Sequence, residues 1–563
     1  MAAGGNVLQG MSRWMPRPTV STEMLGFFAS AYFAIVSSRL FWGAALQGQV
    51  AGSPSWLRMS LVLLVALVSL NLFLLCVILT RRTSRILLAL LLFTSALATY
   101  FMGEFGVYLT PAMLRNAVHT QTSEAGELLS MKLLWHVLLE GGVPAALLWW
   151  ARIRPDPWPA AAYRRVVALM SSVCLLFLAI LFGYQDLAPL MRNHKEVRYL
   201  VTPANYLYSL TRSLTADAAQ SSGAVLAVGA DARLGPGWTP MRKPLLFVIV
   251  VGETARAANW GLNGYARQTT PELATLPVIN FPTVDACGSD TETSLPCMFS
   301  AVGRRDYDES RIRRSESLLH VVRRAGFDVQ WRDNQTGCKG VCAGLEYEQA
   351  DQLDPAGCPL DSCLDAVLLH GLPARWRGNL RNRLVVLHQL GNHGPAYYKR
   401  YPEAFRQFTP TCDTGEIRTC SIAEITNSYD NALLYTDHFL AQVIALLKEA
   451  GAYDTALLYL SDHGESLGEN GLFLHGIPYA IAPQVQTAVP MMLWLSEGFR
   501  HASGLDQECI RRRSGSRLSH DYLFHTVLGL LEVETAVHDR GYDLSADCRS
   551  SGSWTQMESA TVH

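Results

Sequence analysis

Up to about residue 185 the apolar positions cluster into unbroken runs instead of alternating with polar ones. Five runs reach the roughly 20 residues that an α-helix needs to cross a hydrocarbon core: Met24 to Leu46, Leu57 to Thr80, Ile86 to Leu109, Met131 to Ala151 and Tyr163 to Tyr184. Leu61 to Thr80 and Ile86 to Met102 carry no charge at all. The pattern predicts five membrane-spanning helices. Further along, the apolar runs shorten to strand length. Leu245 to Val250 and Ala456 to Leu460 are continuous and free of alternation, as strands buried on both faces are, and each ends in a polar motif. Between the two regimes, Asp186 to Arg242 is mixed, with Tyr199, Tyr206 and Tyr208 among short apolar pieces and a Gly/Pro-rich stretch from Gly229 to Pro240. It reads as a bridge on the headgroup region followed by a flexible linker. The expected organisation is a transmembrane domain over 1–185, a bridge over 186–242 and a soluble domain over 243–563.

Basic residues orient the spans. Arg13 and Arg17, then Arg81, Arg82 and Arg85, then Arg152, Arg154, Arg164 and Arg165 all fall on one side. The opposite loops carry Glu104, Glu124 and Glu127. By the positive-inside rule the N-terminus is cytoplasmic, and five spans deliver the rest of the chain outside. Cysteine usage gives an independent indication. Of 12 cysteines, only Cys76 and Cys174 lie in the apolar half, each inside a span. The others fall mostly into close pairs, Cys287 with Cys297, Cys338 with Cys342, Cys358 with Cys363 and Cys412 with Cys420, leaving Cys509 and Cys548 to each other. In an oxidising compartment these are disulfides, although Cys338-Lys339-Gly340-Val341-Cys342 also has the look of half a zinc site. The net charge is −1 with no basic tract, so nucleic acid is not an expected partner.

The candidate chemistry sits at the ends of the two apolar strands. Val251-Gly252-Glu253-Thr254-Ala255-Arg256 follows the first, and Ser461-Asp462-His463-Gly464-Glu465-Ser466 the second. Strand C-termini are where open α/β sheets build their sites. A Glu, an Asp and a His supply the carboxylate oxygens and imidazole nitrogen that Zn²⁺ accepts together. A metal that acidifies an alcohol and offsets phosphoryl charge turns a hydroxyl into a nucleophile. Thr291 is the candidate, four residues after Cys287 and just before an expected helix whose N-terminal N–H groups suit a phosphate. Ser289, Thr293 and Ser294 are close rivals on position alone.

These motifs, with Asn263-Gly264-Tyr265, Cys287-Gly288-Ser289-Asp290-Thr291, Pro296-Cys297-Met298-Phe299-Ser300, Cys338 to Cys342 and Gly391-Asn392-His393-Gly394-Pro395, closely resemble those of the lipid A phosphoethanolamine transferases. That family lies within the alkaline phosphatase and sulfatase superfamily and includes the mobile colistin resistance enzymes. The resemblance implies a five-helix transmembrane domain plus an α/β alkaline phosphatase-like (sulfatase-like) soluble domain, set in a bacterial inner membrane with its catalytic domain in the periplasm. It implies that Thr291 carries phosphoethanolamine, and that Glu253, Asp462 and His463 bind zinc with the Thr291 oxygen as fourth ligand. It also implies that His393 and His475 contact the phosphoryl group or a second zinc, giving one or two ions. Lys339 would neutralise phosphate charge and Glu465 would orient a ligand. Asn116, Thr120 and Glu124 recur at i, i+4 and i+8, so one helical face presents all three, and the resemblance makes that face the binder of the ethanolamine lipid head. The implied donor is phosphatidylethanolamine, the acceptor lipid A, and the enzyme a monomer.

Asp290 departs from the small uncharged residue usual beside the nucleophile, and is expected to point to solvent or else to bias a second metal. His136 and Glu140, costly in lipid, are expected to face neighbouring helices. The alternatives are a related transferase acting on lipopolysaccharide core sugar or a periplasmic glucan, a glycerol-phosphate polymerising enzyme, and a catalytically silent membrane sensor or scaffold.

Overall fold

The computed structural model describes residues 17–549 apart from 120–121, 194, 222–224, 239–241, 355–357, 359–362 and 379. The chain divides into two compact units, one made of Met1–Pro111 with Leu129–Arg212, the other of Ala112–Leu128 with Ser213–His563.

Four helices of the first unit are long and apolar enough to cross a membrane: Pro54–Ile78, Ser84–Phe105, Met131–Trp150 and Trp158–Gln185. A fifth span is present only if the pair Thr22–Ser37 and Arg39–Ala45, bent by 57°, is counted as one. Of the five expected spans four are matched by single helices, and at the first a π-helical turn over Phe33–Ser37 precedes the bend. Large apolar side chains such as Leu61, Ile86 and Phe182 stand more than half exposed, a surface suited to lipid. Inside, the helices approach closely. A Cβ on Gly183 would lie 2.3 Å from Val62 Cγ1. Some of its polar groups pair with one another: Glu140 pairs with Arg39 and, at 3.2 Å, with His136, and the His136 Nε2 lies 3.2 Å from Thr99 Oγ1. Tyr206, placed by the sequence at the headgroups, is instead buried with its hydroxyl 3.1 Å from Ser95 Oγ.

The second unit is built on one eight-stranded sheet. Its strands are β1 (Leu245–Gly252), β2 (Ile279–Asp285), β3 (Asp328–Asp333), β4 (Glu346–Gln349), β5 (Arg383–His388), β6 (Asp454–Ser461), β7 (Ala488–Leu495) and β8 (Leu518–Ser519). They run in the order β8-β2-β7-β6-β1-β5-β3-β4. All neighbours are parallel except β7, which is antiparallel to β2 and β6. Strands β1, β6 and β7 are buried at every position, which is why their sequences show no alternation. On one face Phe247, Ile249 and Val251 pack with Leu458, Leu460, Met491 and the helix Asp521–Leu530. The long helix Ile422–Glu449, started by a Ser421/Glu424 capping box, lies against β6.

The Gly/Pro-rich stretch expected to be a flexible linker is held in place. Arg233–Leu234 pairs with Val533–Glu534, and the Trp238 indole donates to the Leu531 carbonyl at 3.1 Å. Five disulfides join Cys287–Cys297, Cys338–Cys342, Cys358–Cys363, Cys412–Cys420 and Cys509–Cys548, and Cys76 and Cys174 are free.

The Cys287–Cys297 bridge closes the loop that carries Thr291. Closing a loop of this size contributes about 3 kcal/mol in the chain-entropy treatment. The double variant Cys287→Ser/Cys297→Ser should lose stability on that scale in denaturant unfolding, while non-reducing peptide mapping still finds the other four bridges.

Candidate active site

Strand register assembles the site. In the parallel β1/β6 pair Gly252 lies opposite Ser461, so the next residues, Glu253 and Asp462, leave the same sheet edge side by side. The Asp462 N–H donates to the Gly252 carbonyl at 2.9 Å. The β5 strand ends level with them, Val251 opposite His388, and delivers the Leu390–His393 loop to the same edge. There Asn392 N–H donates to the Glu253 carbonyl at 3.1 Å. Gly391 is required at this crossing: its φ is +54°, and a Cβ would lie 2.8 Å from the Glu253 oxygen. Thr254 also has a positive φ, 55°, a conformation costing on the order of 1–3 kcal/mol for a non-glycine residue. It aims the Thr254 N–H at Asp462 Oδ1, 3.3 Å away, and its carbonyl accepts from the Tyr429 hydroxyl at 2.6 Å.

Thr291 is the first residue of the helix Thr291–Met298. Its hydroxyl lies 3.1 Å and 3.4 Å from the two Glu253 carboxylate oxygens and 3.2 Å from His463 Nε2. His463 Nε2 is 3.3 Å from Asp462 Oδ2 and 3.4 Å from Glu253 Oε1. Glu253, Asp462 and His463 are all fully buried, and one ligand atom from each lies within 4.8 Å of the others. His463 Nδ1 is 2.9 Å from the Gly464 carbonyl, which only accepts, so Nδ1 holds the proton and Nε2 offers a lone pair. Burial pushes this imidazole below its ordinary pKa. Asp462 Oδ2 is buried without a hydrogen-bond partner. An imidazole lone pair, an unpartnered carboxylate oxygen and a second carboxylate converging at one point suit a divalent cation such as Zn²⁺. Among the described residues this is the one cluster of its kind.

Beside it, Glu465 is buried, with one carboxylate oxygen accepting from the Tyr397 hydroxyl at 3.0 Å and the other 2.9 Å from His475 Nδ1. Burial pulls the His475 pKa down, but the charge and hydrogen bond of Glu465, together with the charges of Asp462 and Asp290, hold it above the ordinary value. The His475 ring centre lies 4.4 Å from that of His463 and 5.4 Å from that of His393. His393, driven well below its usual range by burial and by the positive charges of His475 and Arg400, is neutral. Ser289 is turned away from Thr291, its hydroxyl donating to Ile477 O at 2.5 Å, and Ser294 donates to Asp462 O at 2.6 Å.

Asp290 does not point to solvent. It is buried at 6% exposure and caps the Thr291 helix, accepting from Thr293 N–H at 2.9 Å. A helix end in a closed site leaves N–H groups that need an acceptor, and Asp is among the best. Lys339 is directed at Thr336 and, 3.8 Å away, at the Glu292 carboxylate next to Thr291. Asn116 lies on the helix Pro111–His119, and Glu124 is in the helix Thr122–Glu127. Thr120 and the Glu124 side chain lie outside the described residues.

Sequence reasoning passed over His520. Its Nδ1 accepts from Cys287 N–H at 3.1 Å and its Nε2 donates to Ser461 O at 3.0 Å. It thereby ties the loop that carries Thr291 to the β6 end that precedes Asp462. A single histidine in Leu518-Ser519-His520-Asp521 carries no motif to reveal this.

The sulfatase family profile matches residues 246–533, and the profile of the phosphoethanolamine transferases EptA/EptB matches residues 67–218. Phosphoethanolamine transferase EptA of Escherichia coli (strain K12) is 36% identical over 544 residues, which covers 96% of this chain and 99% of that relative. Phosphatidylethanolamine transferase Mcr-1 of Escherichia coli is 36% identical over 468 residues, 79% of this chain and 83% of the relative. Among solved structures, the integral membrane lipooligosaccharide phosphoethanolamine transferase A (EptA) from Neisseria meningitidis superposes with a TM-score of 0.89 at 36% identity, covering 95% of this chain and 100% of that one.

Burial holds the His520 pKa at about 4, below the ordinary 6.5. Between these values the unfolded chain binds the proton and the folded one does not, so stability falls as pH drops from about 6.5 towards 4. The upper bound is about 3 kcal/mol. Melting temperature measured against pH should therefore fall less steeply across this window in His520→Gln than in the wild type. An equal slope would contradict the assignment of a neutral buried His520.

Proposed function

The chain belongs to the EptA/EptB phosphoethanolamine transferase family, and on that premise we propose that it takes phosphoethanolamine from phosphatidylethanolamine onto Thr291 and passes it to a phosphate of lipid A. The single observation that carries this reading is the Thr291 hydroxyl, 3.1 Å from Glu253 and 3.2 Å from His463 at the first turn of a helix. A hydroxyl so placed faces proton acceptors on one side and helix N–H dipoles on the other, as an attack on phosphorus requires.

Glu253, Asp462 and His463 are the residues that would hold one Zn²⁺. When bound, it supplies the charge that acidifies the Thr291 hydroxyl and offsets that of the phosphoryl oxygens. In the first half-reaction a bond forms from Thr291 Oγ1 to the donor phosphorus, and the bond from phosphorus to the glycerol oxygen breaks. The threonine proton passes through the site to that oxygen, and diacylglycerol leaves. In the second, a bond forms from a lipid A phosphate oxygen to the same phosphorus, the bond from phosphorus to Thr291 Oγ1 breaks, and Thr291 takes up the proton that the monoprotonated acceptor phosphate gives up. His475, oriented by Glu465 and Tyr397, and neutral His393 line the side where the phosphoryl oxygens lie. Lys339 acts at one remove, balancing Glu292 beside the nucleophile, while Asn116, Thr120 and Glu124 receive the ethanolamine head.

The protein is a monomer in the bacterial inner membrane with five spans, counting the bent first pair as one, and its second unit is periplasmic. The product carries an added ammonium, which lowers surface negative charge and weakens attraction for cationic peptides such as polymyxin.

Purified enzyme incubated with phosphatidylethanolamine should yield a Thr291-containing tryptic peptide heavier by one phosphoethanolamine, and lipid A mass spectra should gain the same group. Thr291→Ala should lose both signals yet keep its zinc, because three protein ligands remain and water fills the fourth position. Asp462→Ala and His463→Ala should lose metal and activity together. An adduct on Ser289 or Thr293, or full turnover by Thr291→Ala, overturns the nucleophile.

A further inference from the structure

Residues Ala112–Leu128 lie in sequence between two membrane-type helices, yet they pack as part of the sheet-bearing unit. Three of their contacts lead on to groups of the candidate site. The Met113 methyl lies against Gly476, where a Cβ would sit 2.3 Å from it, and Gly476 adjoins His475. Buried Arg115 pairs with Glu309, which also pairs with Arg313, and Arg313 in turn pairs with Glu292 beside Thr291. Glu127 Oε2 lies 2.7 Å from an Arg400 guanidinium nitrogen, with side-chain exposures of 5% and 1%.

The last contact does the most. Arg400 uses its Nε–H to donate to the His393 carbonyl at 2.7 Å while a second nitrogen of the same group holds Glu127. His393 Nδ1 has no hydrogen-bond partner, so this imidazole is placed by its ring contact with His475 and by its main chain. Asp365 and the Glu253 carbonyl hold Leu390, Gly391 and Asn392, whereas the His393 N–H reaches the Leu390 carbonyl of its own loop at 3.3 Å, so Arg400 is the side chain that ties the His393 carbonyl itself. A guanidinium this deeply buried persists only against an anion, and Glu127 supplies that anion, with Lys399 as its further partner at 3.4 Å. The planar fork of arginine makes both bonds at once, a geometry that lysine cannot copy.

We propose that Glu127 and Arg400 are positioning residues for the transfer reaction, a buried clamp through which segment Ala112–Leu128 fixes His393 at the site. This rests on the function proposed above and adds the part played by that segment. Neither residue touches the substrate; both act through His393.

The test uses the full-length enzyme in detergent with phosphatidylethanolamine and lipid A, recording kcat, KM, zinc content and melting temperature. Glu127→Gln, close in shape but uncharged, should lower kcat about tenfold or more, the scale of a small misplacement of a reacting group. KM for phosphatidylethanolamine should change less than about twofold and zinc content should stay at the wild-type level. Arg400→Lys keeps the charge opposite Glu127 but loses the fork, and should show the same kcat loss. Glu127→Asp should recover part of the rate, and Asp413→Asn, which breaks the exposed Arg406–Asp413 pair, should leave it unchanged. Wild-type kcat in either Glu127→Gln or Arg400→Lys overturns the clamp. So does a loss of activity matched by an equal loss of zinc or of folded protein, which is a structural role only. A wild-type enzyme that transfers nothing overturns the functional reading and the clamp with it, so the two failures are distinguishable.

Discussion

Glu253 and Asp462 place two carboxylates, fully buried, against one imidazole and one hydroxyl, and the rest of the second unit is arranged around keeping them there. Two like charges in a dry interior repel strongly and are costly to desolvate. The surrounding hydrogen bonds meet part of that cost: Asp462 Oδ1 accepts from the main-chain N–H groups of Thr254 and His463. The other oxygen is left with no donor. The protein keeps the arrangement because the parallel register of β1 and β6 sets the two residues side by side whatever their charge. A cation is the ligand that turns this unfavourable pair into a favourable site, so affinity for metal is stored in the fold as electrostatic stress.

Around this centre, charge is managed by alternation. Arg115, Glu309, Arg313, Glu292 and Lys339 form a largely buried line of opposite charges that runs next to Thr291. A second line joins Glu127, Arg400 and the His393 carbonyl, and a third joins Tyr397, Glu465 and His475. Each takes a flexible polar side chain at the site and gives it one low-energy position. Preorganisation of this kind lets electrostatic stabilisation act without reorganisation during the reaction. His520 does the same mechanically by bonding the Thr291 loop and the end of β6 to one rigid ring.

Much of this was legible in the chain itself. Long uncharged runs read as membrane helices rather than as buried helices of a large soluble protein, and the short apolar runs before Glu253 and Asp462 place both residues at strand ends, because buried parallel strands do not alternate. What stayed hidden depended on tertiary neighbours. Asp290 reads as a solvent-facing acid until the helix it caps is seen to start inside a closed site. The Gly229–Pro240 stretch has linker composition, yet a two-residue ladder to Val533–Glu534 and one indole hydrogen bond hold it. The first span reads as one continuous run, since a π-turn leaves the hydrophobic period almost untouched. Glu127 and Arg400 lie 273 residues apart, and no local pattern links them.

The five disulfides share one property beyond their individual positions: each joins a cysteine to the next one along the chain, with sequence separations of 10, 4, 5, 8 and 39. A polypeptide that passes N-terminus first into an oxidising space exposes its thiols in that same order. When each pair closes before the following pair emerges, an oxidant that simply joins the two thiols present generates the native set. No mixed-disulfide shuffling is needed to reach it. Sequential pairing thus removes the pairing problem posed by ten thiols, and the bridges around Thr291 and Lys339 both precede the Asp462-bearing strand in the chain.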